Sequence, residues 1–195
     1  RASNESNFAL RAMVGEENFY AGYSDVEHES MIVILDLASD TAFHSPSVRE
    51  IERADAVLIL GEDVTNVAPR IALALRQSVR NQAKDLADQS RIPQWQDAAV
   101  RELAQHERSP LSIISPAVSR LDDVASDRVI ESLSIVAAMG HQIANKIVTS
   151  APNASSSTEH DEVIEKIAEQ LKAAKRPLII AGNSNGSEVI KAAAN

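Results

Sequence analysis

Two short stretches of this sequence contain residue types that could do chemistry, and the first surrounds a serine. Residues 182–186, Gly-Asn-Ser-Asn-Gly, match the G-x-S-x-G pattern in which a nucleophilic serine stands between a strand and a helix. A hydrolase of that kind needs an acid and then a histidine further along the chain. After Ser184 the chain supplies only Glu188 and no histidine. The missing histidine therefore favours a simple turn between strand and helix, and we predict no catalytic residue here.

The second stretch is Gly61-Glu62-Asp63, which directly follows a run of apolar residues. Open α/β sheets bind ligands just beyond the carboxyl ends of their strands, where a carboxylate could hold a ribose hydroxyl or a divalent ion. The competing interpretation is that Asp63 and Thr65 only cap the helix that follows. We favour capping, predict no bound cofactor in this segment, and retain Gly61, Glu62 and Asp63 as the candidate cofactor-binding residues.

Other cofactor and metal signals are missing from the sequence. No G-x-G-x-x-G and no P-loop follows any strand, so NAD and ATP lack their usual phosphate-binding loops. The sequence Glu159-His160-Asp161 is typical of a solvated helix start, and the pair Asp122-Asp123 is expected at the surface. No two histidines have the spacing of metal ligands on a helix, so we predict no metal site; the five are His28, His44, His106, His141 and His160.

The composition excludes several classes of protein. Of the 195 residues, 44% are hydrophobic and only 3% aromatic, which is typical of an aliphatic α/β interior. A net charge of -9 disfavours a nucleic-acid partner, and no apolar run approaches the roughly 20 residues of a membrane-spanning helix. There is no cysteine, which excludes disulfides and thiolate-ligated clusters. The chain opens on Arg1 and closes within an apparent helix, so we expect a piece of a longer polypeptide.

The candidate residues at 61–63 are positioned by a strand-turn-helix unit. Residues 56–60 form a continuous apolar run, as expected for a strand buried on both faces of a parallel sheet. Thr65 or Asn66 can cap the helix, and Pro69 falls in its first turn. The spacing of four residues predicts one apolar helix face that packs on the sheet, formed by Val67, Ile71, Leu75 and Val79.

Further strands alternate with helices along the chain. We predict core strands at 110–114 and 178–181, a short strand at 127–130, and helices opened by Ser24 and Ser47 with a glutamate three residues later. We also expect Trp95 to lie on the apolar face of a helix broken near Pro93, and Ser187 to cap the last helix. Without hairpin signals this order predicts an open, mainly parallel α/β sheet with helices on both faces, a Rossmann-like fold. We divide the chain into an α/β core at 1–148, a polar linker at 149–158, and a helix-strand-helix continuation at 159–195.

The chain resembles a known family over nearly its whole length, and four stretches carry the resemblance. They are residues 1–10 (RASNESNFAL), 45–52 (SPSVREIE), 54–65 (ADAVLILGEDVT) and 120–125 (RLDDVA), and they are similar to the G subunit of bacterial NADH-quinone oxidoreductase, the respiratory complex I. The resemblance implies an internal segment of that subunit's molybdopterin oxidoreductase-like region. Relatives that bind a molybdopterin dinucleotide tend to have asparagine two residues after the strand-ending glycine, and here that position is Asp63.

The resemblance implies a structural role in electron transfer from NADH to quinone. Iron–sulfur clusters are expected elsewhere in the parent subunit, because this segment has no cysteine to ligate them. The expected partners are other subunits of the peripheral arm, on the cytoplasmic inner face of the bacterial membrane and without direct membrane insertion.

Two alternative functions stay open at this point. One is a nucleotide- or molybdopterin-dinucleotide-binding domain of a molybdopterin oxidoreductase. The other is the central domain of a thiamine-diphosphate enzyme, which residues 175–182 (KRPLIIAG) also resemble.

Overall fold

Four parallel strands organise the chain in a computed structural model, which describes residues 3–20, 22–148 and 160–195, with Ser184 described by its backbone alone. The strands are β1 (Ala56–Leu60), β2 (Leu111–Ser115), β3 (Asp127–Ile130) and β4 (Pro177–Ala181). They lie in the order β3-β2-β1-β4, and every neighbouring pair is parallel. Ile59 at the centre pairs with Ile113 on one side and with Ile180 on the other. The predicted open parallel sheet is confirmed.

The α-helices of the described residues lie before β1, in the connections β1–β2 and β3–β4, and after β4. They are α1 (Asn4–Val14), α2 (Asp25–Ser39), α3 (Val48–Ile51), α4 (Val64–Val67), α5 (Pro69–Ser78), α6 (Asn81–Gln89), α7 (Asp97–Ala104), α8 (Leu133–Val148), α9 (Asp161–Ala173) and α10 (Ser187–Ala194). Within these described ranges, no helix combines the length and the apolar character needed to cross a membrane.

Helices cover both faces of the sheet, as the alternating pattern predicted. Side chains alternate along a strand, so Leu58 and Leu60 of β1 join one apolar cluster and Val57 and Ile59 join the other. The first cluster includes residues of α8, α9 and α10, and the second includes residues of α3, α4 and α5. Because all five β1 residues are buried, this strand is the centre of the core.

Both predicted capping boxes are confirmed. The Ser24 hydroxyl accepts the Glu27 N–H, and the Glu27 carboxylate accepts the Ser24 N–H, at the start of α2. Ser47 and Glu50 make the same reciprocal pair at the start of α3. The apolar run Met31-Ile32-Val33-Ile34-Leu35 has no readable period, and it is helical, as the cap at Ser24 indicated.

The helix after β1 is not continuous, which corrects the predicted apolar face. Ala68 has φ -140° and ψ 70°, outside the helical region, and it separates α4 from α5, which begins at Pro69. Proline disfavours the helical conformation of the residue before it. The four-residue spacing of apolar positions therefore does not continue from α4 into α5. Val67 is consequently 60% exposed, while Leu75 and Val79 are buried and Ile71 is half-buried.

Three further predictions about packing are wrong. Residues 178–181 were expected to form a buried core strand, but β4 is the edge strand of the sheet and is partly exposed. Trp95 was expected on an apolar helix face, but it lies before α7 and is exposed. Ser187 was expected to cap α10, but its hydroxyl instead donates to Glu29 Oε1 at 2.8 Å and ties α10 to α2. The predicted linker at 149–158 lies outside the described residues.

Candidate functional site

A crevice opens at the carboxyl edge of the sheet, at the candidate residues 61–63. Its volume is about 220 Å³, and it lies where the loops after β1 and β2 meet the turn after β4. Parallel strands bring these three loops to one edge, which is the usual ligand-binding edge of an open α/β sheet. The lining residues are Gly61, Glu62, Asp63, Ser115, Pro116, Ala117, Ser119 and Asn185.

Gly61 lines this crevice just after the end of β1. Its N–H continues the sheet by donating to the Ile114 carbonyl at 2.8 Å. Its φ of 74° lies in the region that favours glycine, and this turns the chain away from β1. The carbonyl of Gly61 accepts a hydrogen bond from Asn185 Nδ2 at 2.5 Å. The turn after β1 is therefore joined to the turn after β4 by a side chain of the protein itself.

Glu62 turns inward between the ends of β1 and β4. The residue is only 6% exposed. A Cβ atom built on Gly182 would lie 1.6 Å from Glu62 Oε2 and 2.4 Å from its Cδ, so the carboxylate uses the volume that a side chain at position 182 would need. The space between these two strand ends is thus occupied by Glu62.

Asp63 caps α4, as the capping interpretation predicted. One carboxylate oxygen accepts the Thr65 N–H at 3.0 Å and also the Thr65 hydroxyl, and the other accepts Asn66 Nδ2 at 2.5 Å. The hydrogen bond from the Thr65 hydroxyl is the main cause that lowers the pKa of Asp63 below its ordinary value. Asp63 is therefore ionised at neutral pH, and its negative charge disfavours a phosphate-bearing ligand at this edge.

The loop after β2 is held by hydrogen bonds within itself. The Ser115 hydroxyl donates to the Ala117 carbonyl at 2.6 Å. The Ser119 N–H and hydroxyl both donate to Asp122 Oδ1, at 3.1 and 2.9 Å. Asp122 was expected at the surface, but its side chain is only 9% exposed because it closes this loop and also accepts from Arg128. Asp123 is exposed as predicted and pairs with Arg76.

The histidines are not brought together in the described parts of the chain. His44 pairs with Glu50, His160 with Glu131, and His141 with Asn195. Among residues 3–20, 22–148 and 160–195, no group of three or more His, Cys, Asp or Glu side chains could hold a metal ion. Glu159 and the side chain of Ser184 are not described. The backbone at Asn183–Asn185 forms the predicted turn between β4 and α10, as a single turn of 3-10 helix.

Three polar residues that line the crevice were not predicted from the sequence to do so: Ser115, Ser119 and Asn185. Ser115 ends β2, and its place beside Gly61 could have been inferred from the rule that parallel strands end at one edge. Asn185 lies 124 residues from its partner Gly61, so no local pattern indicates that contact.

The fold and the crevice together define an open parallel α/β sheet whose strand-end polar side chains bond to other groups of the protein. Ser115, Ser119, Asp63 and Asn185 each have a partner within the protein. The crevice thus offers carboxylates, hydroxyls and an amide that already hold the loops in place.

Comparison with known proteins confirms the resemblance to the G subunit of NADH-quinone oxidoreductase. The chain is 47% identical over its whole length to that subunit from Pseudomonas fluorescens, 44% identical to the one from Shewanella oneidensis, and 43% identical to the one from Escherichia coli strain K12. It spans 22% of the length of each of these relatives. No family model matches the chain. These matches favour the G subunit over the molybdopterin-binding and thiamine-diphosphate alternatives.

Proposed function

We propose that this chain is a segment of the G subunit of bacterial NADH-quinone oxidoreductase and acts there as a structural part of the peripheral arm. In this role it supports electron transfer from NADH to quinone without housing a redox centre. The observation that carries the proposal is the 41–47% identity to proteins of that name across the whole chain.

The absence of cysteine supports a structural role. Iron–sulfur clusters are held by cysteine thiolates, and this chain has no cysteine, so the clusters of the parent subunit would be ligated by other parts of the polypeptide.

The polar groups at the strand ends also support a structural role. Asp63 and Asn185 serve the fold, through the cap of α4 and the bond to Gly61, and Asp63 would face an anionic cofactor with a negative charge.

The partners and location follow from the same proposal. Other subunits of the peripheral arm would contact the outer surface of this segment, on the cytoplasmic side of the bacterial membrane. The segment would meet no nucleic acid, in keeping with its net charge of -9.

Within the segment, we propose an α/β core at 1–148, a polar linker at 149–158 and a continuation at 159–195. The continuation adds β4 to the sheet beside β1, with register pairs such as Leu58 and Ile179. Residues of α8 and α9 also share one apolar cluster. These contacts support a linker that connects two parts of one core rather than two independent domains.

A chimaeric subunit tests the proposed function. The matching segment of the Escherichia coli G subunit is replaced by this chain, and NADH oxidation with quinone is measured in membranes from cells that lack their own G subunit. We expect the chimaera to join the complex and to restore activity, because the chain is 43% identical to the segment that it replaces.

The matched control is the same chimaera with Leu75→Asp, which places a charge at a fully buried position and should prevent assembly. Failure of the unmodified chimaera to assemble, with the Escherichia coli protein restoring activity in parallel, would contradict the proposal.

A further inference from the structure

Trp95 lies in the turn that joins α6 to α7, and its side chain is 80% exposed. We refer to α6, α7 and the turn at residues 90–96 as the hairpin, which belongs to the connection between β1 and β2. α6 and α7 pack chiefly against each other. Within the described parts of the chain, neither of the two apolar clusters on the faces of the sheet includes a residue of α6 or α7. The hairpin therefore lies outside the core.

The turn that carries Trp95 is fastened to the end of α6. The Ile92 N–H donates to the Ala87 carbonyl at 2.8 Å. The Gln94 side-chain amide donates to both carboxylate oxygens of Asp88, at 3.0 and 2.8 Å. A side chain on a turn held in this way loses little freedom when it binds a partner, so Trp95 is presented in a preorganised position.

Arg91 occupies a position in this turn where glycine is usual. Its φ is 57°, the left-handed conformation in which many helices end and which glycine adopts without steric cost. Residues held in such conformations are found preferentially at functional sites. The Arg91 side chain is exposed and makes no ion pair with a described residue. The turn thus presents an exposed indole together with a guanidinium group that is free to pair with a carboxylate of another molecule.

The surface of the turn around Trp95 is otherwise mainly polar. Its other exposed residues are Ser90, Arg91, Pro93, Gln94 and Gln96. A single aromatic anchor within a polar rim is typical of an interface between separately folded proteins. Surfaces buried permanently within one folded unit are more uniformly apolar. The composition of this turn therefore favours contact with a second protein.

The hairpin is also electrically neutral within an acidic chain. Residues 80–108 contain five Lys or Arg and five Asp or Glu, whereas the whole chain has a net charge of -9. A partner with acidic groups at its surface consequently meets less repulsion at the hairpin than on the rest of the chain. At the hairpin, such a partner can also pair with Arg91.

We propose that Trp95 is the anchor through which this segment binds another subunit of the complex. The partner's surface provides an apolar pocket that receives the indole ring, and a carboxylate at the rim of this pocket pairs with Arg91. This inference rests on the proposed function and adds to it the place of contact. The partner is a separately folded protein, since the hairpin lies outside the core and its turn has the polar rim of an interface between proteins.

Photo-cross-linking identifies the partner. p-Benzoylphenylalanine replaces Trp95 in the full-length parent subunit, the assembled complex is irradiated in membranes, and linked peptides are mapped by mass spectrometry. A matched control carries it at Tyr20, an aromatic residue that is 85% exposed and lies outside the hairpin. We expect position 95 to link to a peptide of a different subunit, and position 20 not to give that link.

Two substitutions then separate binding from folding. The subunit found by the cross-link is titrated with the free full-length parent subunit, and Trp95→Ala should weaken this binding at least about tenfold, as expected of an anchor residue. Its thermal unfolding midpoint should not change, because the side chain is exposed. Arg91→Gly should also weaken the binding, with an equal or higher unfolding midpoint, because glycine relieves the left-handed conformation.

A link from position 95 to the G subunit itself or to a second copy of it would overturn the proposal, as would the absence of any link. Wild-type binding by Trp95→Ala, or a lower unfolding midpoint, would also overturn it, and wild-type binding by Arg91→Gly would overturn the pairing with a carboxylate. These outcomes leave the proposed function in place, since the subunit can join the complex through another surface. By contrast, an unsubstituted full-length subunit that does not join the complex would count against the proposed function itself.

Discussion

Glu62 and Gly182 occupy complementary volumes at the ends of two neighbouring strands, since a Cβ atom on Gly182 would lie 1.6 Å from Glu62 Oε2. The φ of Gly182 is -123°, a value that any residue can adopt. Contact with the buried Glu62, and not backbone conformation, is therefore the reason that this position needs glycine. The pair closes the part of the sheet edge between β1 and β4.

We predict that Gly182→Ala lowers the free energy of unfolding by about 1–3 kcal/mol, the usual cost of overpacking a filled site. The new methyl group would force the Glu62 carboxylate from its place. Urea unfolding of the 195-residue chain measures the change.

The double variant Gly182→Ala with Glu62→Ala is the control, because it removes the clash. Its loss of unfolding free energy should be smaller than the sum of the two single losses by about 0.5–3 kcal/mol. Strict additivity of the two substitutions would show that the residues do not compete for space.

A second prediction concerns the break between α4 and α5. Leu75→Ala should lower the free energy of unfolding by about 2–5 kcal/mol, because Leu75 is fully buried and its loss leaves a cavity. Val67→Ala should change it by no more than about 0.5 kcal/mol, because Val67 is exposed. The two variants are compared in the same urea titration. Equal losses would indicate the continuous helix that the sequence pattern suggested.

A third prediction uses the capping box of α3. Hydrogen bonds lower the pKa of Glu50 from 4.5 to about 2. The bond with the Ser47 hydroxyl contributes most, and the bonds with the Ser47 N–H and with His44 contribute less. A lowered carboxyl pKa adds stability above the unfolded value, so this contribution is full above pH 4.5 and is lost as the pH falls toward 2. Glu50→Gln should therefore be less stable than the wild type at pH 7, and the difference should shrink between pH 4.5 and 2.

Ser47→Ala is the matched variant for this measurement, because it removes the hydroxyl hydrogen bond and keeps the carboxyl group. Its stability should depend less on pH than that of the wild type over the same interval. A difference between wild type and Glu50→Gln that stays constant from neutral pH down to about pH 2 would contradict the role assigned to Glu50.

Much of the fold was predictable because its signals are local. The apolar run that became β1 and the serine-glutamate pairs at 24–27 and 47–50 involve residues within a few positions of one another. The parallel arrangement followed from the alternation of strands and helices without hairpins.

The errors arise where tertiary contacts decide the outcome. Strand order is not written in the sequence, so the edge position of β4 and its partial exposure could not be read from residues 177–181. Ser187 has the residue type of a helix cap, but its hydroxyl bonds to Glu29, 158 residues away. At the candidate site, the local cap by Asp63 was predicted, whereas the contacts of Glu62 with Gly182 and of Asn185 with Gly61 were not.

The structural role of this segment is tested most directly by turnover per assembled complex, measured as NADH oxidation by quinone in membranes and normalised to the amount of complex. Asp63→Ala removes the cap of α4, and Ile59→Ala leaves a cavity at the centre of the sheet. We predict that Ile59→Ala lowers the amount of assembled complex, and that both variants keep nearly wild-type turnover per complex. A selective loss of normalised turnover in Asp63→Ala, with assembly intact, would contradict the structural role, because it would mean that the strand-end crevice takes part in the reaction.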